Sequence, residues 1–142
     1  MPAAADVQTQ NGGNKAAKPE SGDSITFTFS GPVVPSLVLT DWDGSATLVT
    51  VHFQNSATND VLTVRNASTA ATLFPLGFVS LGSDYSDTAD FSFSVMSASG
   101  NTVTIVLGTL SGRVKDKPKA GAMTWTAPTN TVIESGPLDK EF

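Results

Sequence analysis

The chain has 142 residues, enough for one domain with its own core, and no cysteine, so neither disulfides nor thiolate metal sites hold it together. Thirteen acidic against eight basic residues leave a net charge of −5, which disfavours general binding to nucleic acid or to an anionic membrane surface. No stretch approaches the roughly 20 apolar residues that cross a bilayer as a helix, and the first 23 residues lack the apolar run of a secretory signal.

Residues 1–23 are rich in Ala, Gln, Asn and Gly, with Lys15 and Lys18, and contain after Met1 one large apolar side chain, Val7. Such a segment buries too little surface to fold alone, which leaves two expectations, a disordered tail or an extended arm that orders against a neighbouring subunit. Residues 24–29 alternate Ile25, Phe27 and Phe29 with threonines, the period-two pattern of a strand with one apolar face. Proline at 32 and 35 interrupts it, and a short second strand is expected at 37–39 before the turn at 41–44. Residues 48–53 form a third strand with Val49, Val51 and Phe53 inward and Thr50 and His52 outward, and residues 61–65 a fourth with Leu62 and Val64 inward. A fifth strand at 76–81 bends at Gly77, followed by an acidic loop containing Tyr85.

Residues 90–108 carry the clearest pattern. Phe91, Phe93 and Val95 alternate with serines, a Gly100-Asn101 turn follows, and Val103, Ile105 and Leu107 resume on the same face, so the segment reads as a hairpin. Residues 110–121 read as a loop holding Arg113, Lys115, Lys117 and Lys119, half of all basic residues. An eighth strand at 122–126 puts Met123 and Trp125 on one face, and an edge strand is expected at 131–133. No segment keeps a helical period. The expected fold is an all-β, Ig-like β-sandwich of seven to eight strands at 24–133, between an arm at 1–23 and a tail at 134–142.

Candidate chemistry is sparse. His52 is the only histidine. It stands on a polar strand face with no nucleophile turn in the sequence, and is expected as a surface residue. Asp41, Asp43, Asp60, Asp84, Asp87 and Asp90 supply carboxylates, but their spacing is not that of a calcium loop, so turn capping is expected in place of a metal. Trp42, Tyr85 and Trp125 are the aromatics available to stack on a sugar; Trp125 reads as core, and Trp42 as a plug at one end of the sandwich. The cations at 113–119 suit a solvated loop or a contact with a partner protein better than nucleic acid.

The segments Gly22-Asp-Ser-Ile-Thr-Phe-Thr-Phe-Ser-Gly-Pro-Val-Val-Pro35 and Asp41-Trp-Asp-Gly-Ser45 resemble a bacterial Ig-like module of surface and secreted proteins of actinobacteria and their phages. The likeness continues at Leu76-Gly-Phe-Val-Ser-Leu81, Ser99-Gly-Asn-Thr-Val-Thr104, Val106-Leu-Gly108 and Met123-Thr-Trp-Thr-Ala-Pro128, and spans about residues 22–130. A Glu-Pro-Val-Asp-Pro kind of turn in that module is here Gly31-Pro-Val-Val-Pro35, which weakens a shared carboxylate ligand. Its closing Asp-x-x-Gly-Asn segment is replaced by Asn130-Thr-Val-Ile-Glu-Ser-Gly136.

A surface-type domain without a signal peptide fits a virion protein made in the host cytoplasm and released by lysis. The resemblance therefore implies a non-enzymatic, cofactor-free structural protein of a bacteriophage, a capsid decoration protein on the outer shell. Its expected partners are the major capsid protein or another virion protein and further copies of itself, a trimer being one symmetric arrangement, with no nucleic acid and no membrane. Val7, Lys15, Lys18, Arg113, Lys115, Lys117 and Lys119 are the expected contacts. The alternative is an adhesion or carbohydrate-binding Ig-like module of a phage fibre or a bacterial surface protein, with a glycan as ligand.

Overall fold

The structure, a computed structural model, describes residues 2–12, 19–54, 60–81, 86–114, 123–127 and 132–134, with the backbone alone at 86, 87, 113, 114 and 132–134. It is all-β. Ten strands are found among the described residues: β1 (Ala4–Gln10), β2 (Ser24–Phe29), β3 (Thr47–Gln54), β4 (Val61–Asn66), β5 (Phe78–Ser80), β6 (Ser86–Ser99), β7 (Thr102–Val106), β8 (Thr109–Val114), β9 (Thr124–Thr126) and β10 (Val132–Glu134). All pair antiparallel in the order β1-β2-β7-β6-β3-β4-β5-β9-β10, with β8 added beside β6. The two ends of this path, β1 and β10, lie against each other. The sheet thus curls round one core and brings β9 opposite β2, where Trp125 meets Phe27 and Phe29 edge-on at ring distances of 5.0 and 5.2 Å. The Trp125 indole N–H donates to Leu76 O at 2.7 Å, so the largest core side chain leaves no polar atom unpaired there.

The expected inward sets of β2, β3, β4 and β9 are all buried. Four segments depart from expectation. Residues 37–39 belong to no strand: Pro35–Val38 is a single helical turn, α1, closed by Leu39 N–H donating to Pro35 O. Proline at its start needs no hydrogen bond there and has a helical φ already set. At the fifth strand, Phe74–Leu76 forms a 3-10 turn and β5 begins only at Phe78, after Gly77 at φ +59°.

The third departure is the predicted arm. Ala4–Gln10 is not extended away from the body but pairs with β2, and Val7 is wholly buried in this chain's own core. Asp23 explains how so polar a segment is retained. Its carboxylate is fully buried and accepts from the N–H groups of Gly12 at 2.9 Å and Glu20 at 3.0 Å, tying together the two ends of the β1–β2 connection. The sheet therefore begins at residue 4, not 24.

The fourth is the hairpin. Residues 110–114, expected as loop, continue it within β8. Val95 faces Val106 and Ser92 faces Thr109, so the register is kept across the break between β7 and β8. On the other side of β6, Val49 faces Ser94 but Val51 faces Phe91, leaving Ser92 and Phe93 opposite Thr50 alone. This β-bulge reverses which face each later residue takes. Phe91 points inward, but Phe93 and Val95, expected beside it, point out, and Ser94 and Met96 fill the core. Phe93 adopts φ +56°, and Ser94 Oγ donates to Phe91 O at 2.8 Å while accepting from Gly108 N–H at 3.0 Å. A Cβ at Gly108 would lie 2.2 Å from Ser92 O and 2.5 Å from Phe93 C.

Both ends of this lock are testable by chemical denaturation. Gly108→Ala forces the bulge apart and is expected to destabilise the protein by about 1–3 kcal/mol. Ser94→Ala strips the half-buried Gly108 N–H of its acceptor and is expected to cost about the same. Unchanged midpoints in both variants would mean that the bulge is not held in this way.

Candidate functional site

Three surface regions bring together residues capable of recognition. The first is the outer face of β3, β6 and β7. Leu48 faces Val95 and Val95 faces Val106, which puts three aliphatic side chains in one row across three strands. Phe93 stands two residues before Val95 on the same side and is 67% exposed; Leu48, Val95 and Val106 are 49%, 37% and 41% exposed. Cross-strand neighbours lie about 5 Å apart, so these four form a continuous apolar patch. The adjoining row, Thr26, Thr104 and Ser97, is hydroxylated and uncharged, with Thr26 and Thr104 hydroxyls 3.3 Å apart.

The second region lies on the outer face of β3, β4 and β5. His52, Gln54, Val61, Thr63, Arg65, Thr72 and Phe78 line an open groove of about 410 Å³. His52 stands on the polar face, as its alternation requires, yet it is buried, not a free surface residue. Its Nδ1 donates to Asp90 Oδ1 at 2.6 Å and its Nε2 meets the Gln54 side-chain amide at 3.2 Å. An imidazole oriented by a carboxylate is two-thirds of a hydrolytic triad. The other ring nitrogen, however, faces an amide, which is no nucleophile. Beside this pair, Thr63 Oγ1 and Arg65 Nε are shielded from solvent and have no hydrogen-bond partner.

The third is the turn at 41–45. Trp42 is buried and its indole N–H donates to Ser45 O at 2.6 Å, the plug its sequence position suggests. Asp43 Oδ1 accepts from Ser45 N–H at 2.9 Å and from Ser45 Oγ at 2.5 Å, which makes it a turn cap. Those two bonds hold its carboxyl below the usual aspartate range, the hydroxyl contributing most. Among the described residues no three His, Asp or Glu side chains come close enough to share a metal ion.

The expected partner contacts fare differently. Val7 is core. Arg113 lies on β8, while Lys15, Lys18, Lys115, Lys117 and Lys119 lie outside the described residues, as do Tyr85 and Asp84. Trp42 and Trp125 are both buried, so neither offers a ring to a sugar. Among the described residues the exposed aromatic rings are instead Phe74, Phe78 and Phe93. Alternation alone misassigned Phe93, and no signal short of the bulge could have corrected it. The chain matches no protein-family model, no curated protein and no solved structure.

The Asp43 cap predicts a titration. Carboxyl NMR should place the Asp43 midpoint below that of an ordinary aspartate, and Ser45→Ala should move it upward. A depressed folded-state value means that the stabilisation is present at neutral pH and fades as the pH falls through the Asp43 midpoint. A midpoint indifferent to Ser45→Ala would remove the cap as its cause.

Proposed function

We propose that this chain is a non-enzymatic structural protein of a bacteriophage particle, a decoration protein that docks on the outer capsid shell. One observation carries the reading: the uncharged apolar patch of Leu48, Phe93, Val95 and Val106 on strands whose opposite face is core. A side chain on a braced sheet loses little freedom on docking, and an uncharged patch on an acidic chain suits a protein surface better than nucleic acid. Phe93 sharpens the point. A bulky residue at positive φ is strained, and at 67% exposure Phe93 gains little from burial within the chain; Gly or Asn would fit the backbone better. A partner surface gives that ring a use. The Ig-like resemblance of residues 22–130 supplies the phage context. Docking by this face leaves β1 in its own sheet, so the role expected of the arm passes to β6 and β7. Copies on a symmetric shell are expected as symmetric oligomers, with a trimer as one such arrangement.

A second reading, an adhesion or carbohydrate-binding module of a phage fibre or bacterial surface protein, is favoured by the groove beside His52, where Phe78 offers an exposed ring among polar side chains.

Phe93→Asp combined with Val95→Asp tests the first reading, since Asp tolerates positive φ better than Phe and both sites are exposed. Thermal stability should hold, and binding to undecorated particles should fall at least tenfold. Mass spectrometry of purified particles should find hundreds of copies. Full binding by the double variant, or only a few copies per particle, would overturn decoration through this face.

A further inference from the structure

We propose that Asn11 is a site of spontaneous deamidation, restrained in the folded chain by the Asp23 carboxylate that holds the Gly12 N–H. The inference goes beyond both readings above and depends on neither.

Asn11–Gly12 is the single Asn-Gly pair in the chain. An asparagine amide stands one five-membered ring closure from the next backbone nitrogen, and a glycine at that nitrogen puts no Cβ in the way. Glycine is also the residue the fold requires there. A Cβ at position 12 would lie 2.2 Å from Gly22 O, so the β1–β2 connection closes only over glycine. Asn11 and Gly12 are both exposed, so water reaches the reacting atoms.

The chemistry needs no reagent but water. The Gly12 nitrogen gives up its proton and attacks Asn11 Cγ; the Cγ–Nδ2 bond breaks, and the amide nitrogen leaves with a proton as ammonia. The product is a succinimide, which water opens. Cleavage between Gly12 N and Cγ gives aspartate, and cleavage between Gly12 N and the Asn11 main-chain carbonyl carbon gives isoaspartate.

In the folded chain that nitrogen is engaged. Its N–H donates to Asp23 Oδ1 at 2.9 Å, and the fully buried carboxylate also accepts from Glu20 N–H at 3.0 Å. A proton held by an anion is harder to remove, and the bond fixes the peptide plane against the rotation that ring closure needs. Attack therefore waits for local opening of the connection. Conversion then weakens the clamp that delays it. Either product adds a carboxylate beside a buried anion, and isoaspartate lengthens the main chain by one bond between Gln10, paired with Ser24, and Gly12. The C-terminal end of β1 is loosened as a result.

The test is peptide mass spectrometry of the full chain after incubation at mildly alkaline pH, with and without urea, together with amide hydrogen exchange. In urea Asn11 should convert to aspartate and isoaspartate at least tenfold faster than Asn101, which is exposed but followed by Thr102. The folded chain should convert at least tenfold more slowly than the chain in urea, by the factor to which exchange of the Gly12 amide is slowed. Asp23→Ala should speed folded-state conversion at least threefold; if that variant does not fold, the match between Gly12 exchange and conversion decides alone. In the aged chain, amides of Val7 to Gln10 should exchange faster while those of β3 do not change. An Asn11 that converts no faster in urea than Asn101 would overturn the site. Equal rates with and without urea, slowing unrelated to Gly12 exchange, or no effect of Asp23→Ala in a folded chain would overturn restraint by Asp23. Unaltered β1 exchange after conversion would overturn the loosening.

Discussion

The bulge at Ser92 and Phe93 is the constraint from which most of the surface follows. One extra residue on β6 opposite Thr50 exchanges the two faces of the strand for everything after it. Without it, Phe93 and Val95 would continue the inward series of Ala89 and Phe91, and Met96 would face solvent. With it, Met96 enters the core and the phenyl and isopropyl groups leave it. The apolar patch is therefore not an excess of hydrophobic residues left over from packing. It is a by-product of a backbone device that Ser94 and Gly108 hold closed from both sides.

The same device shapes the partner arm. β7 and β8 keep one register with β6 but have different neighbours beyond it. β7 pairs with β2, and that pairing extends to Leu107, whose N–H donates to Asp23 O and whose carbonyl accepts from Gly22 N–H. Asp23 thus serves two connections at once: its backbone carries the hairpin's corner and its buried carboxylate gathers the β1–β2 connection. A hydrophilic N-terminal segment is kept in the sheet by one satisfied carboxylate and one buried valine, Val7, and not by a stripe of apolar residues.

That difference marks what was legible in the sequence. Strands with strict alternation, at 24–29, 48–53, 61–65 and 124–126, were readable because burial on one face imposes a period of two. β1 was not readable, because its hold on the body comes from ladder hydrogen bonds and from Asp23, eleven residues away from Gly12. β8 was hidden because its exposed Thr109, Leu110, Ser111 and Gly112 show no buried face to detect. For the candidate sites, the tryptophans drew attention by type, yet burial removes both, and the useful rings are phenylalanines. His52 and Asp90 are 38 residues apart and meet only because β3 and β6 are neighbours. The unpartnered atoms of Thr63 and Arg65 are properties of packing that no spacing rule encodes.

β3 joins the two surfaces. Its inward residues Val49, Val51 and Phe53 are all buried, with Phe53 tilted against Phe91 of β6 at 5.4 Å, so the strand is braced along its length. Its outward residues divide by position: Leu48 opens the apolar patch at one end, and His52 and Gln54 line the groove at the other. Thr50 lies between them, facing Arg65 on one side and the bulge on the other. A partner on the patch and a small ligand in the groove would then share a rigid strand without sharing a side chain. Occupancy of one need not disturb the other, because a braced strand offers no second arrangement through which to couple them. A domain organised in this way can sit on a scaffold by one end of its outer sheet face and still present the other to solvent.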